Sequence, residues 1–284
     1  MLVTPESGWP AIVFVLAFGL AVGSFLNVVI HRLPRGESIV RPRSHCPDCR
    51  APIAAWHNVP LVSYLWLRGR CRHCAARISP RYPAIELSAG VAFVAIFASH
   101  GVTPVTPLLW SFAALLIAAA GVDFDHGFIP DELSLGGLAL GLVALPAARA
   151  LGGSSPWTAL ADGALGAALG AGSLWIVGFA HARLSVAFGR TFPHWPGEGE
   201  PPPRPASLDY WVWFPGLGFG DVKLLAMVGA FLGPLGAMQT VLLAALLGLP
   251  LGLWLARRSG GLSAPFGFAP AIAAAAVVVA VFAP

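Results

Sequence analysis

The sequence predicts an all-α polytopic membrane protein: about eight transmembrane helices with a small zinc-binding cytoplasmic insert. Three observations carry this expectation. Of 284 residues, 57% are hydrophobic and 11% charged, against about a quarter charged in soluble domains. The mean hydropathy of +0.75 is spread over several separate apolar runs near the ~20 residues a helix needs to cross a bilayer. The arginines and all four cysteines lie between those runs rather than within them. The formal net charge of +4 therefore belongs to loops flanking membrane. It points to lipid as a partner and not to nucleic acid.

The elements follow in order. The first apolar run, Pro10 to Ile30, has no basic region before it, is long enough to span, and shows no cleavable signal. Residues 31–83 form a polar insert with ten arginines and the four cysteines. Further spans are expected at about 84–100, with Glu86 near its start, then 106–123, 132–150 and 157–182. A loop at about 185–215 contains the run Pro196-Gly197-Glu198-Gly199-Glu200-Pro201-Pro202-Pro203, a composition that favours extended chain. Its end, Tyr210-Trp211-Val212-Trp213-Phe214, suits anchoring at a membrane interface. Spans at 221–235 and 236–256 need a tight turn at Gly233-Pro234-Leu235-Gly236, and a last span covers 266–283. The expected division is thus a first helix at 1–30, a zinc-binding domain at 31–83, and a membrane core at 84–284.

Arginine placement sets the orientation. With eight spans, the insert shares a side with Arg183, Arg190, Arg204, Arg257 and Arg258, and only Arg149 falls clearly opposite. Cytoplasmic loops carry the excess of Lys and Arg, so that side is cytoplasmic and both termini are outside. Asp123 then ends a span running inward, and Asp221 begins one running outward. Both reach the cytoplasmic edge.

Cys46-Pro47-Asp48-Cys49 and Cys71-Arg72-His73-Cys74 are two C-x-x-C knuckles with 21 residues between them. Four thiolates at this spacing can close a tetrahedral zinc site. Zinc would organise an insert too small and polar to fold by apolar burial. Two disulfides or four free thiols are the alternatives, and a reducing cytoplasm disfavours the disulfides. His45 and His73 read as neighbours rather than ligands, because Cys46, Cys49, Cys71 and Cys74 already supply four.

Ionisable groups in a span are costly and are functional candidates by default. Four acids compete near the end of the third span: Asp123, Asp125, Asp131 and Glu132. Asp131 follows Ile129-Pro130 and reads as an N-cap, and Glu132 suits a first helical turn. Asp125 lies beyond the span, where it is solvated or supports a partner. Asp123 lies closest to the apolar run and is the catalytic candidate. Asp221, after Gly218-Phe219-Gly220, equally suits a helix cap neutralised by Lys223. The alternative is a pair in which one carboxylate activates water while the other, protonated, donates to a scissile carbonyl.

At these residues the chain resembles the type IV prepilin peptidases, aspartic peptidases of the GxGD type. Gly23-Ser24-Phe25-Leu26-Asn27-Val28-Val29-Ile30-His31-Arg32-Leu33-Pro34 is similar to the family's opening block. Asn58 to Leu65, Leu67-Arg68-Gly69-Arg70-Cys71 and Ile78 to Leu87 resemble its cytoplasmic domain and the junction that follows. The blocks around Asp123 and Asp221 resemble both catalytic motifs, and Pro265-Phe266-Gly267 recurs near the end. The resemblance implies a bacterial inner-membrane endopeptidase with Asp123 and Asp221 as its catalytic pair. It would remove the short basic leader of prepilins and pseudopilins, after a glycine, for pilus or type II secretion machinery. It also implies methylation of the new amine with S-adenosylmethionine, an activity tied to the cysteine domain, where Gly69 and Glu86 match motif positions. Methyl-donor residues are not assigned. The chain departs from the pattern at 190–207, a longer connection than usual, and at His57, where an acid is common.

Three other readings stay open: a peptidase without methylation, a proton-coupled transporter using the same acids, and a zinc-bearing assembly protein without catalysis.

Overall fold

The computed structural model describes residues 5–190, 203–215, 218–259 and 267–282. Residues 191–202 of the expected proline-rich stretch 190–207, with Glu198 and Glu200, lie outside the described residues, as do Gly216, Leu217, Pro265 and Phe266.

The regular structure of the described residues is helical. Helix α1 spans Pro5–Arg32 and leads into the cysteine insert, whose short helix α2 is Val62–Trp66. Then come α3 (Arg81–His100), α4 (Thr106–His126), α5 (Asp131–Leu151) and α6 (Pro156–Ala187). A short α7 (Asp209–Val212) precedes the long α8 (Phe219–Ser259), and α9 is Ala269–Phe282. Six of these helices are long and apolar enough to cross a membrane: α1, α3, α4, α5, α6 and α8. At 14 residues, α9 is a shorter apolar helix.

Turn chemistry sets several boundaries. Pro107 and Pro156 open α4 and α6, where a missing N–H costs nothing. Gly127 closes α4 in the left-handed region and donates its N–H to Asp123 O at 2.8 Å.

The expected pair of spans at 221–256 lies within α8, which breaks at Gly233 (φ 69, ψ −174), a conformation essentially restricted to glycine. Gly170 of α6 faces both Leu225 and Ala237, one on each side of the break. A straight helix would hold those residues ~18 Å apart, so the chain turns back there. Six span-length helices, one of them folded in two, plus α9 account for the eight apolar runs.

Small residues let the helices close. Gly166 meets Gly229 and Gly233 backbone to backbone, and any Cβ at Gly166 or Gly229 would collide with the facing chain. Without a hydrophobic drive between helices in lipid, such close approach supplies the packing. The interior is filled by Phe93, Phe112, Leu116, Phe231 and Ile272, all at most 2% exposed. Phe112 stacks on Phe231 at 4.5 Å, joining α4 to α8. Conversely, Phe14, Val143, Ile176 and Leu246 point outward, as a lipid-facing surface requires.

Candidate active site and cysteine cluster

Asp123 sits in the last turn of α4 and Asp221 in the first turn of α8. Their exposures are 7% and 8%. They are close enough for the charge of Asp123 to act on Asp221. Asp123 Oδ2 accepts the backbone N–H of Ala269, at the start of α9, over 3.2 Å. Asp221 Oδ1 is buried with no hydrogen-bond partner among the described residues. A buried, unsatisfied carboxylate oxygen is costly. The two carboxyls stand on the ends of two helices, with glycines close by. Gly220 packs on Ile129, and Gly218 lies against the Asp221 carboxyl.

The remaining acids have other work. Asp131 is the first residue of α5, not its N-cap, which is Pro130. Its carboxylate pairs with Lys223 of α8. Lys223 therefore holds α5 rather than neutralising Asp221; residues two apart on a helix face different sides. Asp125 lies within α4, not beyond it, and pairs with Arg81 at the start of α3. Two features had no signal in local sequence: the Ala269 N–H aimed at Asp123, and the proximity of Gly267. Both depend on α9 folding back over more than a hundred residues.

The four cysteines converge. Their sulfurs all lie within 4.8 Å of one another, with Cys46–Cys74 at 3.9 Å and Cys49–Cys71 at 4.0 Å. Tetrahedral ligands ~2.3 Å from an ion stand ~3.8 Å apart, whereas a disulfide needs ~2.0 Å. The cluster could hold a metal. No histidine belongs to it among the described residues.

Both knuckles fold alike. Cys46 and Cys71 donate their N–H to Ala51 and Ala76, and accept from Arg50 and Ala75. Arg50 and Ala75 share a φ of 57°. In each knuckle the turn thus aims its two thiols at one point. Backbone N–H groups of Cys74 and His73 hold the Cys71 thiol down at about 7. The Ala76 N–H pulls Cys74 down too, but desolvation and the neighbouring sulfurs outweigh it and push it up to about 12. Four adjacent thiols resist full ionisation unless a cation joins them.

A cavity of about 580 Å³ lies between the last turns of α1 and the insert. Its lining includes Asn27, His31, Tyr64, Arg72, Tyr82 and Glu86, and neither Asp123 nor Asp221. Glu86, 8% exposed, accepts the N–H of Leu61 at 2.8 Å. Arg72 bonds His57 Nε2 at 2.9 Å. Asn27 donates to Tyr82 O at 3.2 Å, tying α1 to the start of α3.

Comparison with known proteins agrees with this architecture. The Bacterial Peptidase A24 N-terminal domain matches residues 17–100, and the Type IV leader peptidase family matches residues 110–253. A Klebsiella pneumoniae protein named prepilin leader peptidase/N-methyltransferase is 38% identical over 239 residues, covering 81% of this chain and 89% of that protein. Proteins of the same name from Neisseria gonorrhoeae and Burkholderia pseudomallei (strain 1026b) are 32% and 33% identical. The first alignment covers 92% of this chain and 87% of the relative, and the second 89% and 80%. No solved structure is significantly similar to the chain. Two buried carboxyls in the matched region, a cysteine-bearing N-terminal part and these relatives lead to one conclusion: the chain belongs to the type IV leader peptidase family.

Proposed function

We propose that this chain is a membrane aspartic endopeptidase. It removes the basic leader of type IV prepilins and pseudopilins at the cytoplasmic face of a bacterial inner membrane. The observation carrying this reading is the buried pair Asp123 and Asp221, one oxygen pinned by a backbone N–H and another left without a partner. One carboxylate takes a proton from water as that water attacks the scissile carbonyl carbon. The other carboxyl, protonated, donates to the carbonyl oxygen. The tetrahedral intermediate then expels the amine, which takes up the proton held by the first carboxyl, while a hydroxyl of the intermediate returns a proton to the second as the carbonyl re-forms. The Ala269 N–H orients Asp123 for one of these roles. The acids stand at helix ends, which suits a substrate cut where its leader meets the membrane. A transporter would more often place them near mid-membrane.

The second activity is methylation of the new N-terminal amine, and the insert cavity supports it. Its volume lies within the ~300–1,000 Å³ of small-molecule sites. Tyr64 and Tyr82 offer aromatic surface for a purine, and Arg72 offers a cation for a carboxylate. These residues fit S-adenosylmethionine, which supplies an electrophilic methyl group when bound. The cysteine cluster, holding zinc, braces the knuckles on which Arg72 stands. A peptidase without methylation is the second reading.

The test is cleavage of a purified prepilin in detergent with S-adenosylmethionine present, read by product mass. Wild type removes the leader and adds a methyl mass. Asp123→Asn and Asp221→Asn each abolish cleavage, and the double variant is no worse, because the two act as one unit. Cleavage by either single variant would remove that acid from the site.

A further inference from the structure

Arg81 stands at the join between the insert and the membrane core. The second knuckle closes just before it, where Arg70 and Arg77 bridge and Ile78 donates to Gly69 O at 2.8 Å. Arg81 then opens α3 and reaches across to α4. There Nη1 pairs with the Asp125 carboxylate, and Nη2 donates to Gly121 O at 3.4 Å. Gly121 and Asp125 are four residues apart and stack on one face of the helix. Asp123 lies midway between them in sequence and roughly 200° around from either. The guanidinium therefore grips the back of the turn whose front carries Asp123.

On the front, the Ala269 N–H holds the same carboxylate. Rotation and depth of Asp123 are thus fixed from two sides by different helices. The planar fork of Arg81 makes both contacts in one fixed geometry, which the flexible point charge of a lysine does not hold. A half-exposed ion pair contributes little to stability, so the consequence of this grip is geometric. The other helix of the pair has a matching arrangement. Lys223, two residues after Asp221, is held by Asp131 of α5.

We infer that Arg81 is a positioning residue for peptide cleavage, acting through Asp125 and Gly121 to hold Asp123 in register with Asp221. This rests on the peptidase reading above. A displacement of ~1 Å at reacting groups can cost a hundredfold in rate. The experiment measures kcat and KM for cleavage of a purified prepilin by wild type, Arg81→Gln, Arg81→Lys, Asp125→Asn and the Arg81→Gln/Asp125→Asn double variant. Folded fraction is normalised by gel filtration and thermal melting in detergent.

The expected result is a ten- to hundredfold fall in kcat for Arg81→Gln, with KM little changed. Arg81→Lys should be intermediate. Asp125→Asn should also lower kcat, and the double variant should be no slower than Arg81→Gln alone. Unchanged kcat in Arg81→Gln, with only a lower melting temperature, would overturn the inference and leave a structural ion pair. So would independent effects of the two substitutions, or a change confined to KM. If wild type itself fails to cleave while folded, the peptidase reading falls and this inference with it. Loss of cleavage in Asp123→Asn beside normal kcat in Arg81→Gln would sink the inference alone.

Discussion

Asp123 has neighbours that leave its carboxylate no spare room. A Cβ added at Gly267 would land on its oxygens, although Gly267 lies 144 positions away in sequence. Gly267→Ala should therefore push the Asp123 carboxyl off its Ala269 contact and lower kcat for leader cleavage at least about tenfold. The fold should persist, because the methyl group meets a side chain and not the packed backbone. Steady-state kinetics beside a thermal melt checks this, and an unaltered kcat would mean that α9 does not crowd the dyad. Depth along the apolar runs picked Asp123 from four nearby acids, and the structure buries both it and Asp221 at helix ends. The partners of the other acids were not legible, for a physical reason. Lys223 lies two residues from Asp221 in the chain but points away from it on the helix, so its partner comes from α5. Asp125 likewise finds Arg81 from α3. Local spacing cannot reveal ion pairs made between helices.

At the scale of elements, the cysteine insert and the folded α8 show what patterning can carry. Gly233-Pro234 announced a break because Pro234 cannot continue a helical hydrogen-bond ladder and Gly233 can adopt φ 69°. That both halves pack on α6 through Gly166 and Gly170 was not legible, since glycines are plentiful throughout the chain. The knuckles were legible by spacing, and the structure brings all four sulfurs within 4.8 Å. A further expectation follows from that geometry. Metal analysis of the purified protein should find zinc bound at a single tetrahedral site, and Cys71→Ser should lose it. Chelation should loosen the insert, read as faster proteolysis between the knuckles, while α4 and α8 stay packed. Because ligating thiols must lose protons, zinc should leave more readily as pH falls. Intact, metal-free protein with an equally protected insert would show that the thiols need no ion.

Across the whole molecule, the carboxyl pair and the insert cavity lie apart, since neither Asp123 nor Asp221 lines the cavity. Arg81, Asp125 and Asp123 show that the insert abuts the end of the bundle that carries the dyad. On the function proposed above, the new N-terminus of a cleaved substrate would pass from the dyad to the cavity while its apolar helix stays in lipid. That order is chemically required, because the amine to be methylated does not exist until the peptide bond is broken. Separate sites predict separable losses. Arg72, a cavity residue bonded to His57, lies outside the dyad's own contacts. Arg72→Gln should weaken S-adenosylmethionine binding about tenfold, the effect of one lost charge-assisted contact of ~1.4 kcal/mol. Calorimetry on the detergent-solubilised protein measures this without turnover. Leader removal should continue at the wild-type rate, so the product gains a free amine and no methyl. A parallel loss of cleavage would mean that cavity and dyad work as one site, whereas unchanged donor affinity would move the methyl donor elsewhere on the insert.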